Sequence, residues 1–285
     1  MPARLAVVGH RRLPAAVQLP AVAAAGGRVL AAGGLNAADG SVATITRVAP
    51  GAPQALGSLP LAIHDAAAAA LGGAVYVFGG GTASGSSAAI FRVDGGGRAT
   101  AAGRLPAGMS DVEAAPLGGD AYVVGGYTGT VPLRSVLAFR AGRPLRDVAT
   151  LPHPLRYAAV AALGRTIMIA GGTDGAHAQR AVLAFDPATR RATRVATLPR
   201  PLAHAAAVAL GGRLYLLGGR GEADGTQTDA IWAIDPAGGR VRRAGRLPVA
   251  LSDLAAVAFG GRVLAIGGRD AGGHARADVW TLAAR

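Results

Sequence analysis

Short apolar runs recur along this chain, and glycine stops each of them. Val29–Ala32, Val75–Phe78, Ala121–Val124, Ile167–Ala170, Leu214–Leu217 and Val263–Ile266 all run directly into a Gly-Gly doublet. Before each lies an Ala-rich run, such as Tyr157–Leu163 or Ala205–Leu210, joined to it by a tight glycine turn such as Gly118-Gly119 or Gly211-Gly212. Glycine doublets supply the positive φ that two-residue hairpin turns demand. Near-continuous apolarity is the pattern of strands covered on both faces. A buried helix could show the same hydropathy, but the frequent Gly-Gly breaks and the β-branched second runs decide for strands.

A polar stretch of variable length leads to a third run (Ala181–Phe185, Ala230–Ile234), then to a turn such as Asp186-Pro187-Ala188-Thr189, then to a fourth run such as Thr193–Thr197. Proline presets φ for such a bend. These four strand positions are called a to d below. The unit repeats six times: a Leu-Pro pair begins at Leu13, Leu59, Leu105, Leu151, Leu198 and Leu247, and the Gly-Gly doublet follows 20 residues later in every copy. Neighbouring copies are 46, 46, 46, 47 and 49 residues apart, a period that belongs to solenoids, propellers or arrays. The last copy ends after its c strand, Asp278–Leu282, while the chain opens with an apolar segment, Leu5–Val8, placed where a d strand would precede the first Leu-Pro. An N-terminal strand that completes the last sheet closes a ring and leaves no long edge.

The expected architecture is all-β: one six-bladed propeller domain over residues 1–285, four antiparallel strands per blade, with repeats near 13–58, 59–104, 105–150, 151–197, 198–246 and 247–285 plus 1–12. Tyr76-Val77-Phe78-Gly79-Gly80, Tyr215-Leu216-Leu217-Gly218-Gly219, Phe185-Asp186-Pro187-Ala188-Thr189 and Leu151-Pro152-His153-Pro154-Leu155-Arg156-Tyr157 together resemble the kelch repeat, and the resemblance spans the chain. One departure is the aromatic expected after the Asp-Pro turn: Arg191 and Thr193 stand there, while Trp232 and Trp280 fall in c strands.

Strand polarity sorts the loops. The d–a and b–c connections share one face of the ring, and the short a–b and c–d turns, made of Gly, Pro, Asp and Arg, share the other. Function is expected on the long-loop face. The fifth residue after each Leu is Gln18, His64, Ser110, Arg156, Ala203 or Ser252, and the sixth is Leu19, Asp65, Asp111, Tyr157, His204 or Asp253. Both sets are expected to ring the mouth of a central channel, with His177 and Glu222 added from b–c loops. The resemblance implies ligand binding on this face, often through an arginine at the fifth position, which only Arg156 matches.

Composition narrows the chemistry. The chain has 285 residues, 51% apolar but only 4% aromatic, so its core is built from small and branched side chains. Absence of Cys excludes disulfides, thiol nucleophiles and the Tyr–Cys copper site of galactose-oxidase-like members of the superfamily. The net charge is +13 and all 29 basic residues are Arg, scattered over every repeat without interleaved aromatics; nucleic acid is therefore not the expected partner. No transmembrane helix is expected, and the N-terminal apolar stretch is too short for a signal peptide. The expectation is a cytoplasmic protein if Met1 is the natural start, and an exported one otherwise.

Asp65, Asp111 and Asp253 with His64 and His204 could in principle hold a hard cation, but turn-capping carboxylates account for the same residues, and neither metal nor cofactor is expected. No Ser-His-Asp spacing, P-loop or dinucleotide fingerprint is present. The expected function is a monomeric kelch-type module that binds a protein, peptide or glycan through His64, Asp65, Ser110, Asp111, Arg156, Tyr157, His177, His204, Glu222, Ser252 and Asp253. The alternative is a carbohydrate-active enzyme resembling the bacterial sialic-acid mutarotases, with Asp111, Glu113 and Arg156 as the acid/base and anion-binding groups.

Overall fold

The computed structural model describes residues 4–285. They form six antiparallel sheets in which each repeat lays down its strands in sequence order, a to d. The fourth blade is representative: Ala159–Leu163, Thr166–Ala170, Ala181–Asp186 and Arg191–Thr197. The a strands of neighbouring blades pack side by side around the central channel, and the d strands form the rim. The sixth sheet joins both ends of the chain, with Leu5–Arg12 pairing antiparallel against Asp278–Ala284. The closing strand therefore runs to Arg12, beyond the Val8 expected from hydropathy alone, because His10 finds partners: its Nε2 lies 2.8 Å from Asp278 Oδ1 and its ring stacks on Trp280 at 4.0 Å. Of the segment 1–12 assigned to the last repeat, residues 1–3 lie outside the described residues.

Burial on both faces of the a and b strands is explained by six hydrophobic clusters, each assembled from two adjacent blades. One joins Val29, Ala31 and Val48 of the first blade to Leu264, Ile266 and Val279 of the last. Another joins Tyr122 and Val136 to Ile167 and Phe185. Alanine fills the a strands because converging sheets leave least room there; Ala67–Leu71 and Ala206–Leu210 hold four and three alanines respectively. Trp232 and Trp280 each pack partly buried against such a cluster.

The Gly-Gly doublet is the joint between blades. The second glycine of every doublet donates its amide to a carbonyl four residues past the Leu of the next Leu-Pro: Gly34 to Ile63, Gly80 to Met109, Gly126 to Leu155, Gly172 to Leu202, Gly219 to Leu251 and, closing the ring, Gly268 to Val17, all at 2.8–2.9 Å. The first glycine has φ between 60° and 66° in all six copies. A Cβ there would stand 2.1–2.5 Å from that same carbonyl oxygen, so no larger residue fits.

Other boundaries also differ from those expected. Tyr157 precedes its a strand, which starts at Ala159, because its backbone is left-handed (φ 53°). The outer strands Gln54–Ile63 and Arg240–Ser252 run straight through their Leu-Pro pairs instead of stopping before them. Among the described residues no helix is long and apolar enough to cross a membrane.

Gly125→Ala and Gly142→Ala separate strain from collision. Both glycines have positive φ, but a Cβ at Gly125 meets the Leu155 carbonyl at 2.1 Å whereas one at Gly142 meets nothing within 4 Å. Urea denaturation should show a loss of about 1–2 kcal/mol for Gly142→Ala, the left-handed penalty alone. Gly125→Ala should lose roughly 3 kcal/mol or more; equal losses would refute the joint.

Candidate functional site

The site is assembled by backbone. In five blades the fifth-position residue pairs through both its N–H and C=O with the residue after the Gly-Gly of its own repeat: Gln18 with Leu35, His64 with Gly81, Ser110 with Tyr127, Arg156 with Thr173 and Ala203 with Arg220; Ser252 pairs with Arg269 in the sixth. Each sixth-position residue then turns left-handed, with φ of 52–59° at Leu19, Asp65, Asp111, Tyr157, His204 and Asp253. Non-glycine residues, and bulky ones above all, rarely adopt this conformation. Here it recurs at the same place in six blades, and the residues join head to tail. The amide of Asp111 donates to Asp65, Tyr157 to Asp111, His204 to Tyr157, Asp253 to His204 and Leu19 to Asp253, at 2.7–3.3 Å. The result is a ring of peptide groups around the channel mouth.

Inside the ring is a cavity of about 110 Å³, lined by the six sixth-position residues, Glu113 and the alanines of the a strands. The Arg156 guanidinium forms an ion pair with Asp111 and lies 4.0 Å from the centre of the Tyr127 ring and 4.9 Å from that of Tyr157. Its Nε is buried without a hydrogen-bond partner. Tyr157 stacks on His204 at 3.8 Å between ring centres. His204 Nδ1 lies 2.5 Å from Asp253 Oδ1, and the Ser252 hydroxyl donates to Asp253 Oδ2 at 2.5 Å.

The acidic and phenolic groups crowded here titrate differently because their neighbours differ. Burial, reinforced by Asp111 and Asp253, pushes the Asp65 carboxyl well above the usual carboxylate range. Burial pushes Glu113 up to about 8, only partly opposed by the amide of Ala114. Burial also raises Tyr157, helped by Asp65 and Asp111. Asp253 goes the other way: burial would raise it, but His204 and Ser252 hold it below its ordinary value. Near neutrality the mouth therefore carries the protonated Glu113 carboxyl beside the ionised Asp253, an arrangement that supplies both a hydrogen-bond donor and acceptors.

The channel thus brings together Asp65, Asp111, Glu113, Tyr157, His204 and Asp253, with Arg156 behind Asp111. His64 stands just outside, its Nδ1 2.8 Å from Ser41 Oγ and its ring against Gly81; burial lowers its pKa. Ser110 and Ser252 are buried, so their roles are in the wall. His177 and Glu222 sit apart. His177 borders a separate groove of about 590 Å³ on the fourth blade, and Glu222 Oε1 accepts from the Ala178 amide across neighbouring loops. Among the described residues no three His, Asp or Glu side chains are placed to hold a metal ion. Tyr127 is the contact that site spacing alone did not single out. The signal was in register, because Tyr127, two past the first glycine of its doublet, faces Ser110 at the fifth position of its own repeat. Glu113 carries a clearer signal: the same position is Ala21, Ala67, Ala159, Ala206 and Ala255 in the other five copies.

Residues 201–248 match the Kelch motif family. A solved structure titled "Structure of YjhT" superposes with a TM-score of 0.81 over 96% of this chain and 98% of that one, at 17% identity. The chain is a six-bladed β-propeller that carries a Kelch motif in its fifth blade. No curated protein matches it in sequence. At 17% identity the structural match speaks for the propeller fold, and the chemistry must be argued from the propeller's own mouth.

The raised Glu113 gives this propeller a pH signature. A carboxyl whose pKa is about 8 when folded and near 4.5 when unfolded costs nothing at pH values below both. Between them it opposes folding increasingly, and above the folded value the cost stays constant. Glu113→Gln removes that cost. The stability difference between the Glu113→Gln variant and its parent, followed by urea denaturation, should grow from about pH 4.5 and level off above about 8; a pH-independent difference would show that Glu113 titrates normally.

Proposed function

We propose that this propeller binds the end of a glycan, or a similar small polyhydroxylated molecule, at the channel mouth on its d–a/b–c face. The observation that carries the reading is the left-handed ring, which aims Asp65, Asp111, Tyr157, His204 and Asp253 from five blades at one point. Sugar hydroxyls both donate and accept, and the mouth offers the ionised Asp253 as an acceptor and the protonated Glu113 as a donor. The Tyr157–His204 stack supplies aromatic surface for the apolar face of a sugar ring. With a volume near 110 Å³, the cavity is smaller than the ~150 Å³ that encloses a benzene-sized molecule. A ligand therefore seats on the mouth and inserts one end, and a polymer does not thread through.

Calorimetric titration with a panel of neutral and acidic mono- and disaccharides tests this directly. Arg156→Ala and Tyr157→Ala should each weaken the best ligand about 10- to 100-fold, the worth of a charge-assisted hydrogen bond or an aromatic contact in a dry site. Unchanged affinity in both variants would place binding elsewhere.

A second reading, proton transfer at the anomeric centre of a bound sugar, is favoured by one specific observation: Glu113 holds its proton up to about pH 8 in a wall otherwise made of alanine. A general acid needs its proton in place and a pKa near the working pH. On this reading Glu113 donates to the ring oxygen, and Asp253-oriented His204 receives the hydroxyl proton. Mutarotation followed by NMR should be lost in Glu113→Gln and should fall as pH rises through about 8. No acceleration over buffer with any sugar that binds would remove this reading and leave binding intact.

A further inference from the structure

The face opposite the site is built for a different partner. Four of the six a–b turns carry an arginine, Arg28, Arg213 and Arg262 at one aligned position and Arg165 one residue earlier, around the far end of the channel. Arg28, Arg165 and Arg262 are exposed and have no ion pair or side-chain hydrogen bond among the described residues. The outer ring of c–d turns adds Arg98, Arg143, Arg190 and Arg240, all exposed. Three of the acids on this face are already engaged. Asp94 and Asp186 accept amides of their own turns, and Asp120 is clamped by Arg140 at 2.8 Å and Arg146 at 3.1 Å. On the adjoining rim, between the fifth and sixth blades, a groove of about 480 Å³ is bordered by Arg4, Arg243, Arg246 and Arg285. One carboxylate, Asp229, pairs with two of these four. The acids of the other face gather at the channel mouth, so the disc is electrically polar.

Shape decides which polyanion this face fits. Six blades end their turns at one end of the ring, so the guanidinium groups are presented as a broad, shallow array. Among the described residues no helix or protruding ribbon stands here to enter a nucleic-acid groove, and no aromatic lies in these turns to stack on a base. The exposed large apolar side chains, Val8, Leu61 and Val131, lie outside the turns, so nothing inserts into hydrocarbon. Arginine pairs with phosphate oxygens in a bidentate fork, and a planar array of them matches a planar array of phosphates.

We infer that the a–b/c–d turn face docks on an anionic membrane surface through arginine–phosphate contacts, with the channel mouth turned away from the bilayer. The contact is electrostatic and peripheral, and it stands independently of what the mouth binds. Each arginine brought to such a surface changes partitioning about fivefold.

Vesicle flotation provides the test, using phosphatidylcholine mixed with phosphatidylglycerol against phosphatidylcholine alone, at low and high salt. The protein should float with the mixed vesicles only and be released by salt. Arg165→Gln with Arg262→Gln, and Arg143→Gln with Arg240→Gln, should each reduce partitioning roughly 25-fold. Arg104→Gln with Arg200→Gln, which removes equal charge beside the d–a loops, should reduce it less than about threefold, the residue of long-range attraction. Equal losses in all three pairs, or no preference for the anionic vesicles, would overturn the inference. So would tighter binding to duplex DNA weakened by the same two turn-face pairs, which would assign the face to nucleic acid. Unchanged thermal melting of each variant confirms that folding is not the cause.

Discussion

Everything in this propeller hangs on one contact: a glycine amide at the end of each b strand meeting a carbonyl of the next blade. The contact is made six times within 2.8–2.9 Å, and its last instance, Gly268 to Val17, joins the two ends of the ring. It demands glycine for two separate reasons. The backbone there is left-handed, and any Cβ on the first glycine of the doublet would strike the very oxygen being bonded. Apolar packing between blades supplies most of the burial, but packing is tolerant of small shifts. The glycine joint is not, so it sets the angle and rise from blade to blade.

From that joint the site follows by short steps along the chain. Four residues past the Leu lies the carbonyl that the joint engages; the fifth residue pairs with the strand end beyond the doublet; the sixth must turn sharply to enter the a strand. The turn is left-handed in every blade whatever residue occupies it, aspartate, histidine, tyrosine or leucine. Asp can tolerate this conformation through local hydrogen bonding, while Tyr157 and Leu19 have no such relief. Their strain is balanced by the bonds made around the ring, where five of the six amides, those of Tyr157 and Leu19 among them, find the carbonyl of the neighbouring blade. Fold and site are therefore separable: backbone fixes where the six side chains point, and their identity is left free for chemistry.

That separation also explains what could be read from sequence. Leu-Pro and Gly-Gly are scaffold, repeated because every blade needs them, and repetition made the ring, the strand order and the loop face legible. The end of the d strand at Arg12 was not, because it depends on His10 meeting Asp278 and Trp280 from the other end of the chain. In the site, position along the repeat groups Asp65, Asp111, Tyr157, His204 and Asp253 around one cavity, since the ring is a property of the repeat. It could not tell that Ser110 and Ser252 would be buried in the wall, or that His177 and Glu222 would lie on loops that lean outward. Those outcomes depend on loop length and side-chain partners, which do not repeat.

Exceptions within the repeat carry more chemical information than its consensus. At the eighth position five copies have alanine, because converging strands leave space for little else; the third has Glu113. Burying a carboxyl against that wall costs stability unless the proton stays on, and the pKa of about 8 is the measure of that cost. The packing rationale that explains five alanines gives no account of the glutamate, since alanine would fit and would cost less. A group that the fold tolerates only at a cost, placed inside the cavity where five blades already aim polar side chains, is the feature that function, rather than folding, has to explain.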